Sequence, residues 1–191
     1  MTPQKICPVL GRRDCLRFVA LLLILLFCGS TLVGQTIMAG TRRATIYKSP
    51  SLNAVAIIAV RNLGDENWLE TLEVATKNIS GRPLYCVQIL LTFSGVVSTE
   101  LDGVRRRLTL SLEYGRLDLI RPGAVATLDD KPIEPGENYV FKISEVNRRA
   151  LEERIASGKL QDSQLQKFAI RVESVSFGDG TGFRSGLPYP R

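Results

Sequence analysis

The sequence predicts a mainly β protein, a sandwich of short strands with one inserted helix, preceded by an N-terminal hydrophobic targeting helix. Three observations carry this. Residues 1–17 are basic, and Phe18 to Cys28 (FVALLLILLFC) form an uninterrupted apolar run. Beyond Ser51, six or more short stretches alternate apolar and polar residues or run β-branched, with turn residues between them. A single stretch there, from Ser144 to Gly158, has helical spacing.

The first element is the targeting segment, residues 1–40. A basic flank, an apolar run and then the small residues Gly29, Ser30, Gly34, Ala39 and Gly40 are the layout of a secretory signal. From Phe18 to Gly40 the stretch is also long enough to cross a bilayer, so a cleaved signal and an uncleaved anchor both fit. Arg12-Arg13 resembles the twin-arginine export pattern, with Cys15 where phenylalanine is usual. Either route keeps the basic end in the cytoplasm and sends the rest across, to the periplasm or the exterior. Phe27 before Cys28 argues against lipidation. Residues 41–50 read as a linker, and 51–191 as the folded domain.

Within that domain Ala54–Val60 (AVAIIAV) suits a buried strand. Leu69–Lys77 alternates, with Leu72, Val74 and Thr76 on one face. Asn78 to Pro83 is a turn by composition, and the Asn78-Ile79-Ser80 glycosylation pattern within it reads as turn chemistry. Leu84–Phe93 (LYCVQILLTF) is the strongest strand and the central one. Leu108–Tyr114, Tyr139–Ile143 and Phe168–Phe177 complete the series. The helix is capped by Ser144 and stopped by Gly158, with Val146, Ala150, Leu151 and Ile155 as its apolar stripe.

The segment Leu72-Glu73-Val74-Ala75-Thr76-Lys77-Asn78-Ile79-Ser80-Gly81-Arg82-Pro83-Leu84, the strand residues Val87, Ile89, Leu91 and Phe93, and the later Ile133-Glu134-Pro135-Gly136-Glu137 with Phe141 resemble small secreted immunoglobulin-like modules of the FxLYD type. The domain is also similar to exported bacterial proteins of unknown function. The resemblance implies an immunoglobulin-like β-sandwich in a non-cytoplasmic compartment and no activity. The helix and the Gly178–Phe183 run depart from it.

Charge and composition exclude more than they assign. Of the net charge of +6, +3 lies in the first seventeen residues, and the remaining 21 basic and 18 acidic residues nearly balance. No nucleic-acid partner is expected, since a basic face interleaved with aromatics is missing. Arg105-Arg106-Arg107 reads as a solvated loop or strand edge. The chain has no histidine, which removes Ser-His-Asp, Cys-His and imidazole acid–base chemistry. Three of the four cysteines precede the domain, so Cys86 alone lies in it, as a small buried apolar group. No structural zinc site can be built from it. No enzyme activity and no cofactor are expected.

Binding must then sit on loops or edges. The long polar segments are Gly115–Ile133 and Phe177–Arg191, and they are expected to meet at one end of the domain. Arg116, Asp118, Asp129, Asp179 and Phe183 are the candidate binding residues. Asp129, Asp130 and Asp179 could supply oxygen ligands to calcium, but their spacing fits no EF-hand loop, and the Gly178–Gly182 run lacks the helix a phosphate loop needs. The function expected is a non-enzymatic exported or membrane-anchored module contacting an envelope protein or cell-wall component. The alternatives are a structural spacer and a carboxylate-based hydrolase.

Overall fold

Alternation in the strongest apolar stretch decides the layout. Val87, Ile89, Leu91 and Phe93 point to one face and are wholly buried, while Gln88, Leu90 and Thr92 between them are partly exposed. The computed structural model describes residues 34–47, 54–99, 105–185 and 187–189. Its strands are β1 (Gln35–Ala39), β2 (Arg42–Ile46), β3 (Val55–Arg61), β4 (Glu73–Asn78), β5 (Cys86–Thr99), β6 (Arg105–Tyr114), β7 (Asn138–Lys142), β8 (Lys167–Ser176), β9 (Gly182–Arg184) and β10 (Leu187–Tyr189). Two helices accompany them, α1 (Trp68–Thr71) and α2 (Glu145–Ala156), with 3-10 turns at Leu117–Ile120 and Asp162–Leu165.

The protein is mainly β, in two sheets. The larger has the order β1-β2-β8-β5-β6, with β9 on β8 and β10 on β9; the smaller is β3-β4-β7. All pairs are antiparallel except β2 with β8, which run parallel. Both sheets feed one core, in which Val74 and Phe141 of the smaller join Ile89, Leu91 and Ile170 of the larger. Tyr114 of β6 meets Tyr139 of β7 edge-on at 4.6 Å, linking sheet to sheet through aromatic rings.

The stretches read as strands all carry strands, and β5 lies between β8 and β6 as expected. Four expectations need correction. The 41–50 linker and the end of the targeting segment coincide with the β1–β2 hairpin, because Ala44 and Ile46 bury their side chains and β2 pairs with β8. The targeting segment up to Val33 lies outside the described residues. Leu69 begins no strand; Trp68–Thr71 is a helical turn that drives Trp68 into the core, stacked on Phe168 at 5.7 Å and edge-on to Phe93 at 6.3 Å. Of the α2 stripe only Leu151 is fully buried, while Val146 is 77% exposed. Finally, the tail after Phe177 is not all loop, since β9 and β10 extend the larger sheet. Ser144 does cap α2, accepting from the backbone N–H of Asn147 at 3.3 Å. Among the described residues no helix is long and apolar enough to cross a membrane.

Asn78 ends β4 and is 2% exposed, a polar side chain that must be fully bonded. Its amide donates to the carbonyls of Arg82 and Ile133, both at 2.9 Å. Its Oδ1 accepts from the backbone N–H and the hydroxyl of Ser80, at 2.9 and 2.7 Å. Both amide protons are used, so the folded chain offers no free nitrogen for glycosylation. Asn78→Ala strands these partners and is expected to cost about 2–3 kcal/mol. Urea unfolding followed by the fluorescence of Trp68, the single tryptophan, measures it; a loss below about 0.5 kcal/mol, typical of a surface change, would contradict this role.

Candidate functional site

The two long polar segments do come together. Ala126 N–H donates to the Gly178 carbonyl at 2.7 Å, and Gly123 N–H to that of Gly180 at 3.3 Å. Two backbone positions make the approach possible. Gly115 has φ +74, and a Cβ there would lie 1.9 Å from the Tyr85 carbonyl oxygen. Gly178, also at φ +74, faces the Tyr85 ring, where a Cβ would lie 2.4 Å away.

The charges of this cluster are largely spent on one another. Arg116 Nε donates to Asp130 Oδ1 at 2.9 Å and stands 3.7 Å from Asp118. Asp130 Oδ2 accepts from the Thr127 backbone and hydroxyl, at 2.7 and 3.0 Å. Its carboxyl is held below the usual range, chiefly by that backbone N–H. Arg82 donates to Asp179 Oδ2 at 2.7 Å and lies 3.9 Å above the Phe177 ring. Asp179 Oδ1 in turn takes the backbone N–H and hydroxyl of Thr181. Asp129 and Asp179 line one shallow depression with Tyr85 and Phe177, and Phe183 reaches it through edge contact with Phe177 at 5.9 Å. Such mutual satisfaction braces loops. Among the described residues no three His, Cys, Asp or Glu side chains are grouped to hold a metal ion.

A second region was not picked out by the sequence. On the face of the larger sheet turned from the core lies a groove of about 560 Å³. Alternation dictates its lining: Ala44, Phe168 and Ile170 point inward, so Arg43, Thr45, Lys167, Ala169 and Arg171 point outward. Register then sets them side by side. Arg43 pairs with Lys167 and Thr45 with Ala169 across β2 and β8; Ala169 pairs with Thr92 across β8 and β5. Arg107 approaches from β6, and the Ser94 hydroxyl bonds the Lys167 carbonyl at 3.2 Å.

The groove is asymmetric in charge. At one end stand Arg43, Lys167 and Arg107, and among the described residues no carboxylate pairs with any of them. The other end holds a balanced pair, Arg171 Nη2 at 3.0 Å from Glu173 Oε2, beside Tyr47. Ser185, at φ +50, directs its backbone N–H to the Glu173 carbonyl at 2.7 Å and its hydroxyl to Glu173 Oε1. That non-glycine residue in left-handed conformation is strain held by two bonds to one partner. The sequence signal for this face is the outward row of each strand, and in it only Arg107 belongs to a run that stands out, the arginines at a solvated loop or edge.

Comparison with known proteins gives no match to a protein-family model, a curated protein or a solved structure. The resemblance carried by residues 72–93 and 133–141 gains no support from it.

Cys86 opens β5 and is wholly buried. Burial pushes its thiol from 9.0 to about 12, with Glu113 and Asp118 adding to the rise. The folded state keeps a proton that the unfolded chain loses above pH 9, so this contribution is intact below pH 9 and is lost as pH climbs toward 12. Between pH 8 and pH 10 wild type is expected to lose about 1.4 kcal/mol more stability than Cys86→Ala. Native-state alkylation at pH 8 should be about a thousandfold slower than in urea; equal labelling would show an accessible thiol.

Proposed function

We propose that the chain is an exported, non-enzymatic binding module, built as an immunoglobulin-like sandwich, that holds an envelope protein or cell-wall component in the groove of its larger sheet. The observation that carries this is the Arg43–Lys167 pair. Like charges directly opposite on neighbouring strands destabilise a sheet. A domain serving only as a spacer gains nothing from placing them there, with Arg107 near and no carboxylate among the described residues to offset them. Residues that lower stability without a structural return are what a ligand site requires. The spacer reading explains the self-satisfied loop cluster and leaves this groove without a reason.

Hydrolysis fares less well. Two-carboxylate glycoside chemistry needs a pair flanking the scissile bond, and among the described residues Glu173 is the one carboxylate lining the groove. Glu173 is moreover engaged by Arg171 and Ser185. A sandwich reading of the fold draws on two sheets sharing one core, with the chain crossing between them.

Export rests on the sequence of residues 1–33. With Gln35 opening β1, the apolar stretch available ahead of the domain runs from Phe18 to Val33, roughly 16 residues. That is nearer a signal-peptide core than the ~20 residues a spanning helix needs, which favours a cleaved signal over an anchor.

Two measurements test the proposal. A reporter active only outside the cytoplasm, fused after Arg191, should be active, and cytoplasmic retention would overturn export. In cells, p-benzoylphenylalanine in place of the groove residue Tyr47 should give a discrete photoadduct, while the same label at exposed Val146 of α2 should not. Equal labelling at the two positions, or none at position 47, would overturn the groove as a binding site.

A further inference from the structure

We infer that the groove takes an anionic saccharide, a sugar unit bearing one phosphate or carboxylate at one end. This rests on the reading of the chain as a binding module and names what it binds.

Strand geometry gives the dimensions. Arg43 and Lys167 face each other across one strand spacing, ~5 Å, and Arg107 lies two strands beyond Lys167, ~10 Å away. Three cations so placed converge on a single anionic group above β8 and β5. Arginine forks and a lysine point charge together suit phosphate or carboxylate oxygens. The side chains are exposed and lack carboxylate partners among the described residues, so no existing ion pair has to break.

The rest of the groove is neutral and rich in hydroxyls. Thr45, Ala169 and Thr92 form the next row across the sheet. Beyond them, Lys167 to Arg171 is four residues, ~13 Å along the strand, ending at Arg171, Glu173 and Ser185. Thr45 and Thr92 on either side of Ala169, with Tyr47 nearby, offer hydroxyl hydrogen bonds and one ring face to a sugar. About 560 Å³ lies within the range of small-molecule sites and exceeds what a bare phosphate fills.

The asymmetry excludes ligands charged along their whole length. A nucleic acid would lay successive phosphates toward Glu173, where the local charge is already balanced by Arg171, and among the described lining residues Tyr47 is exposed while Phe168 is turned into the core, where strand binding needs a series of open rings.

The test uses the purified full-length chain and titration by ligand-detected NMR. Maltose 1-phosphate is expected to bind at least tenfold more tightly than inorganic phosphate or maltose. Its affinity should fall as salt is raised from 50 to 200 mM, since the three cations are exposed and screened. The double variant Arg43→Glu, Lys167→Glu should lose at least tenfold, and so should Arg107→Glu, made on a different strand in case the double variant folds poorly. A charge-matched control at exposed positions outside the groove, Lys131→Glu with Lys159→Glu, should stay within twofold. Inorganic phosphate binding as tightly as the sugar phosphate would reduce the site to a simple anion site and overturn the inference. So would tighter binding of a thymidine decanucleotide, or an equal loss in the control. A photoadduct at position 47 without sugar-phosphate binding would overturn the ligand class alone; loss of both would overturn the module as well.

Discussion

Four hydrogen bonds meet on the buried amide of Asn78, and much of the molecule is positioned through them. Through Ile133 the amide holds the 133–137 loop against β4, and through Arg82 it fixes the turn that leads into β5. That turn aims the Arg82 guanidinium at Asp179 and over Phe177. Asp179 shapes the turn into β9 through Thr181, and β9 is followed directly by Ser185, which bonds Glu173 at the groove wall. A polar side chain in the smaller sheet thereby helps define a surface on the larger one. The cost of disturbing it is high because Asn78 itself is buried and its bond to the Ile133 carbonyl lies wholly inside, where an unmet partner loses the value of its solvation.

The two charged regions differ in how their charges are used. Around Asp130 and Asp179 each carboxylate has donors on both oxygens, so the loops gain rigidity and keep little free affinity for a ligand. In the groove the cations stand on paired strands that hold them in register without neutralising them. A site on strand faces is preorganised at no loop-ordering cost, which raises the affinity available from a few contacts.

What the sequence made legible follows the range of each signal. Strands β5, β6, β7 and β8 announced themselves because inward residues alternate locally, as Leu108, Leu110 and Leu112 do. The β1–β2 hairpin was hidden because Ile37, Met38 and Ala39 continue the apolar character of the segment before them. Trp68 was missed as a helical residue because four residues are too short for a 3.6 period to show. The meeting of the 115–133 and 177–185 segments could be expected from strand ends alone. The groove could not, since β2, the consecutive strands β5 and β6, and β8 lie far apart in the chain and only pairing register brings Arg43, Lys167, Thr92 and Arg107 to one face.

That register contains one irregularity, and it falls at the groove. Core residues on β8 recur at Phe168, Ile170 and Val172, then at Val175, three positions on where two are expected. The pairing with β5 shifts between Gln88 and Ile89, which leaves Glu173 as the extra residue of a bulge. Ser174 remains opposite Gln88 and within 3.5 Å of it, so the polar chain from Ser111 through Gln88 continues across the sheet. Glu173 is turned toward the strand edge instead, in the gap between the end of β2 and the end of β9, where Arg171 and Ser185 reach it. A regular strand would have carried its alternation through Val175 only by turning that apolar side chain outward or by burying a glutamate in the core. The bulge avoids both, and its by-product is a carboxylate that closes one end of a cationic groove and gives it direction.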